Sequence, residues 1–193
     1  MDITQLILDD HHEQRRLFAI LEQVGSGGTA TLGEIWSRLS AFLETHARAE
    51  EEIFYPQLLY VGRDAGRLAA TEDETLDAIH DHNDIRDAIA AVGEHPVGSS
   101  GWLDAIAAVN VANGDHMAEE EREGLTDFRR EASLQLRHDL AVEFAAFEAR
   151  HIAGVAPEDR DPAGYVRAVE SSLPGRPSVG SLGIGSLRGG GLP

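Results

Sequence analysis

Two histidine–glutamate pairs, His46-x-x-x-Glu50 and His116-x-x-x-Glu120, each set an imidazole and a carboxylate one helical turn apart. Both pairs continue apolar stripes. Ile35, Leu39, Phe42 and Leu43 lead into His46, Glu50, Ile53 and Gln57, while Trp102, Ile106, Val109 and Asn113 lead into His116 and Glu120. Two further histidines fall on apolar faces of their own. His11 lies four residues after Ile7 and seven before Phe18, and His82 lies three after Ile79 and three before Ile85. Burying unpaired groups of this kind costs several kcal/mol each, and a metal ion is the simplest compensation. Imidazole nitrogen and carboxylate oxygen suit iron or manganese, and zinc or copper by affinity order. Two glutamates on facing helices can each bridge two ions. Six protein donors, His11, His46, Glu50, His82, His116 and Glu120, leave positions open for water, oxygen, peroxide or nitric oxide.

Each fragment alone is a weak signal, because a lone inward histidine is more often a hydrogen-bonded core residue and a His-x-x-x-Glu is often a surface pair. The set as a whole carries the inference. The remaining histidines read as structural. His12 is one position round from His11, on the flank with Leu8, Arg15 and Ala19; His80 shares the polar side with Asp84 and Asp87; His95 lies in a loop; His138 is off its helix seam; His151 ends a helix, where a cation suits the dipole.

Four helices must position the six donors. The first spans 2–24 and ends at the breakers Gly25-Ser26-Gly27-Gly28. The second starts near Thr31, with Glu34 completing a capping box, and runs to about Leu59 with a distortion expected near Glu52–Tyr55, because Pro56 lacks an N–H. The third spans Glu72 to Val92, a loop follows from Gly93 to Gly101, and the fourth runs from Trp102 past Leu125. A fifth helix, 131–153, carries the seam Leu136, Leu140, Phe144 and Phe147. The fold class is all-α: an up-down four-helix bundle plus a fifth helix over 1–153, followed by a Gly/Pro/Ser-rich tail over 154–193, flexible or wrapped on the surface.

Composition narrows the functions. The chain has no cysteine, which excludes thiolate zinc, iron–sulfur clusters and thiol catalysis, and suits a cytoplasmic setting. No signal peptide or membrane span is visible. A formal charge of −18, with arginine as the sole basic residue besides histidine, argues against nucleic acid and anionic membranes as partners.

Asp10-His11-His12-Glu13, His46-x-x-x-Glu50 with Phe54-Tyr55-Pro56, His82-x-x-Ile85-Arg86 and His116-x-x-x-Glu120 together resemble the hemerythrin-like family with the HHE cation-binding domain, over roughly residues 1–130. The order of histidines and glutamates is similar to that of its actinobacterial members. The resemblance implies two iron ions in an oxo- or hydroxo-bridged di-iron centre, and it favours His11 over His12 as first ligand. It also implies handling of hydrogen peroxide, nitric oxide or O2 in stress defence, with a sensor or binding protein without turnover as the alternative. Oxygen-carrying hemerythrins have a second histidine four residues before His82; this chain has Ala78 there. Tyr55 is the candidate substitute, as ligand or close neighbour of the metal. On a regular helix it would point about 140° away from Glu50, so the Pro56 distortion must turn it.

Overall fold

The computed structural model describes residues 1–24 and 28–173. The breakers at 25–27 and the tail beyond 173 lie outside them. α1 (Ile3–Val24) starts on Asp2, whose side chain accepts from the Thr4 amide, and α2 spans Thr29–Ala49. A π-helical segment, Glu50–Phe54, joins α2 to α3 (Tyr55–Asp64) without a loop. α4 (Leu68–Val92) and α5 (Ser100–Arg122) complete a four-helix bundle closed by contacts of α5 with α1. α6 (Gly124–Glu131), α7 (Leu134–Arg150) and α8 (Pro162–Ser172) follow. The protein is all-α.

Several boundaries differ from the sequence reading, each for a local reason. α2 begins at Thr29 with Gly28 at its N-cap, so Thr31 is already helical and the Thr31–Glu34 capping box does not form. α4 starts four residues before Glu72, directly after a turn in which Gly66 takes φ +76°. The fourth helix stops at Arg122, because the backbone bends at Glu123 (φ −111°, ψ −78°) and restarts at Gly124 as α6. α7 begins at Leu134 rather than 131, with the Ser133 hydroxyl capping the Leu136 amide. The described part of the tail is surface-wrapped and carries an unanticipated helix, α8. Asp161 caps it through the Gly164 amide at 2.7 Å, and Pro162 stands at its first position.

Two apolar clusters divide the bundle. One gathers Ile3, Ile7, Ile53, Phe54, Ile79, Leu125, Phe128 and Phe144; the other gathers Leu17, Phe18, Leu39, Leu43, Val92, Trp102, Ile106 and Val109. α1, α2 and α4 contribute to both, α5 to the second and α6, which follows it, to the first; the polar inward residues fall in the gap between. α7 lies against α1, α2 and the π segment, and brings the Phe144 ring edge-on to His46 at 5.9 Å. The polar layer is thus held between two packed cores.

Candidate metal centre

His11, His46, Glu50, His82, His116 and Glu120 all lie in the gap between the clusters, each no more than 6% exposed. His12, His80, His95 and His138 are exposed, and His151 bonds the Phe147 carbonyl at 2.9 Å. His11 and His46 approach Glu50 Oε1 through Nε2, at 4.0 and 2.9 Å, while His82 Nε2 lies 3.3 Å from Glu50 Oε2. Glu50 therefore turns one oxygen to each of two histidine groups. Among the described residues, His11, His46 and Glu50 form one set able to hold a metal ion, and Glu50, His82 and His116 form another. Glu120 joins the first group through Oε2, 3.4 Å from His11 Nε2. A third set, Asp10, His46 and Glu148, is only half-buried and lies at the α7 side, where His46 Nδ1 faces Asp10.

The burial of these six side chains was legible in the sequence; what surrounds them was not. Every imidazole turns its outer nitrogen to a carboxylate on a neighbouring helix. His46 Nδ1 meets Asp10 of α1, His82 Nδ1 meets Glu51 of the π segment, and His11 Nδ1 meets Glu121 of α5, all at 3.0 Å. His116 Nδ1 meets Asp81 of α4 at 3.4 Å. Each of these acids is the sequence neighbour of a candidate donor on its own helix: Asp10 of His11, Glu51 of Glu50, Asp81 of His82 and Glu121 of Glu120. The carboxylates thus pass round the bundle, each helix orienting the histidine of the next. An Nδ1–H donated outward leaves the Nε2 lone pair directed inward, the tautomer a metal requires. Acidic residues flanking donors were the available signal, and part of the large negative charge is this ring.

The inward atoms face one another across the layer. His11 Nε2, His46 Nε2, both oxygens of Glu50 and Glu120 Oε2 are buried without a hydrogen bond. Leaving a single buried polar atom unsatisfied costs about 1–3 kcal/mol, a cost that a cation, or protons shared between these histidines and the glutamates, would relieve. His82 Nε2 and His116 Nε2 stand 3.2 Å apart. Two nitrogens at ~2.1 Å from one ion, on adjacent corners, are separated by about 3 Å. The donor set fits cations.

Protons hold the same places when no cation does. Burial opposes charge on His46, but Glu50 and Asp10 raise it well above its ordinary value, and His82 is pushed up to about 9 against its burial by Glu50 and Glu51. Burial would lift the Glu50 carboxyl, yet His46 and His82 hold it well below the usual range. A cation entering the layer displaces these protons.

Tyr55 is 1% exposed, and its hydroxyl donates to Glu120 Oε1 at 3.0 Å. The π segment accounts for this orientation. The Tyr55 amide bonds the Glu50 carbonyl five residues back, and the wider turn brings residue i+5 round towards the face of residue i. Burial, Glu120 and Glu50 raise the phenol well above its ordinary value, which keeps it a proton donor in the cation-free layer. Beside it is a cavity of about 30 Å³ lined by Tyr55, Ala78, His116 and Glu120, with Glu74 and Glu123 towards the outside. That volume admits water-sized molecules.

A layer of imidazoles and carboxylates inside an all-α bundle, oriented by an outer ring of acids, defines a cation-binding helical bundle. The hemerythrin HHE cation binding domain model matches residues 2–126, so the chain belongs to that family. No curated protein and no solved structure gives a significant match. Among the described residues no helix is long and apolar enough to cross a membrane.

The cavity wall also carries a titration. Burial, with Asp127 and Glu123 nearby, pushes Glu74 up to about 7 from an ordinary 4.5. Its protonated form is favoured by the fold, so its stabilising contribution is full below pH 4.5 and is lost as pH rises through about 7. Glu74→Gln should therefore stabilise the metal-free protein by about 1 kcal/mol at pH 8, after allowance for solvent screening, and by almost nothing at pH 4.5. Urea denaturation at the two pH values checks this; an equal gain at both would exclude the titration.

Proposed function

We propose that the protein is a cytoplasmic di-iron protein that turns over a small oxidant, with hydrogen peroxide, nitric oxide or O2 as its ligand. His11, His46 and Glu120 would hold one ion, His82 and His116 the other, and Glu50 would bridge them. The observation that carries this reading is Glu50: two buried oxygens, each facing a different histidine group. When bound, iron would supply the redox equivalents and a Lewis-acidic open position.

The chain's own residues would do the rest. The Asp10, Glu51, Asp81 and Glu121 carboxylates fix the four ring orientations. The two apolar clusters keep bulk water from the layer. The small cavity limits access to molecules of a few atoms. Tyr55 holds a proton at its hydroxyl, donates it in a hydrogen bond to Glu120 Oε1, and would pass it to that carboxylate if the phenol ionised.

Turnover is tested with iron-reconstituted protein against peroxide and nitric oxide, using free iron as the baseline. Consumption no faster than free iron would remove the oxidant reading. Tyr55→Phe should abolish a visible phenolate-to-iron charge-transfer band while leaving metal content near the wild-type value; a band that persists would exclude Tyr55 as a ligand. A sensor without turnover is the second reading. It is favoured by the contact of segment 154–173 with Glu51, which joins a surface element to the orientation of His82.

A further inference from the structure

The family match ends at residue 126, yet the layer is not finished there. Pro56 has no N–H, so the Glu51 carbonyl, which a π turn would pair with residue 56, has no helical donor. The hydroxyl of Tyr165, on α8, donates to that carbonyl instead. The Glu51 side chain is shared in the same way. Its Oε1 serves His82 Nδ1 at 3.0 Å and the Arg86 guanidinium at 2.8 Å, and its Oε2 accepts from Arg160 Nε at 2.6 Å.

Arg160 is itself pinned at both backbone groups. Its amide donates to Asn83 Oδ1 at 3.1 Å, and its carbonyl accepts from Asn83 Nδ2 at 2.8 Å. The stretch leading to it is fastened to α2, where Arg48 pairs with Glu158 at 2.5 Å and donates to the Ala156 carbonyl at 3.4 Å. Glu51 is 1% exposed and receives bonds from α4 and from the segment 154–173, which lies wholly outside the matched domain.

We propose that Arg160 and Tyr165 are positioning residues for the metal centre: the segment 154–173 is a strap that fixes Glu51 and the π segment, and through them His82, Glu50 and Tyr55. The strap acts on one side of the centre. Glu51 orients His82 alone, whereas the outer nitrogens of His11, His46 and His116 bond Glu121, Asp10 and Asp81. Loosening the strap therefore weakens retention at the His82/His116 half more than at the His11/His46 half. It also lets the π turn relax towards a regular helix, which carries Tyr55 away from Glu120. The inference rests on the two-ion reading above for its metal arm only.

The test uses the full chain with Tyr165→Phe, Arg160→Gln and Arg160→Lys, and Arg167→Ala as the control. Arg167 is on α8 too, but its side chain is exposed and faces Asp161. In iron-loaded protein, Tyr165→Phe and Arg160→Gln should release one of the two ions to a chelator about tenfold faster than wild type. The second ion should be accelerated much less, because Glu50 is the one strap-dependent donor it shares, and Arg160→Lys should recover part of the loss. In metal-free protein the same two variants should speed amide exchange in peptides covering 50–56, with no change in Arg167→Ala. Wild-type release and exchange rates in both variants would overturn the proposal, as would equal acceleration of both ions. A wild-type chain that holds no iron would instead remove the two-ion reading, and the exchange arm would still decide the strap.

Discussion

Glu50→Ala is expected to lower iron content from about two ions per chain to well under one, with the fold retained. Among the described residues Glu50 is the member common to the His11/His46 and His82/His116 sets, its Oε1 meeting His46 and His11 and its Oε2 meeting His82. Loss of an outer carboxylate that merely orients a ligand costs about 10–100-fold in metal affinity. Loss of the shared donor should exceed that at both ends. His46→Ala is the contrasting case: it removes a donor from one group and should spare about one ion per chain. The two variants, loaded anaerobically and assayed for bound iron after desalting, separate a bridging carboxylate from an ordinary one. Equal residual iron in both would mean that Glu50 is not shared.

Removal of metal should cost more stability than any surface substitution. Ligand binding to the native state alone stabilises by RT ln(1 + [L]/Kd), about 4 kcal/mol per site at a thousandfold excess over Kd. For a chain of this size, 1 kcal/mol moves Tm by about 2–4 °C, so stripping both sites should lower Tm by well over 10 °C. Helical content at room temperature should survive. The apolar clusters on either side of the layer do not contain it, and the histidines can retain protons that pair with Glu50. The measurement is a circular-dichroism melt of iron-loaded and chelator-treated protein. Coincident melts would show that the buried donors contribute nothing through metal.

The four bundle helices and the inward series were readable because a 3.6-residue period marks one face at a time. The predicted series Trp102, Ile106, Val109, Asn113, His116 and Glu120 is buried in full. The same one-helix reading hides what lies between helices. Asp10 reads as polar on α1, and its use appears only when α2 places His46 beside it. Glu51 and Glu121 sat inside acidic runs that composition alone assigns to solvation, yet Glu51 is buried and Glu121 partners His11. Regular-helix geometry alone points Tyr55 aside, and the inward turn rests on the distortion at Pro56. Pro56 announced a distortion that could bring residue 55 inward, but not that its form would be a π turn. α8 escaped notice because its surroundings are rich in Gly, Pro and Ser, although Asp161-Pro162 is an N-terminal signature of a helix. Its stability comes from contacts with α3 and α4 rather than from its own propensity.

The most direct measurement is an anaerobic iron(II) titration of the metal-free chain, followed by elemental analysis of the desalted protein. The shared Glu50 and the two histidine groups predict an end point at two ions per chain. Loading should release protons into weakly buffered solution at pH 7, because His82 titrates at about 9 in the cation-free layer. A titration that ends at one ion, or retains none, would contradict the two-metal centre.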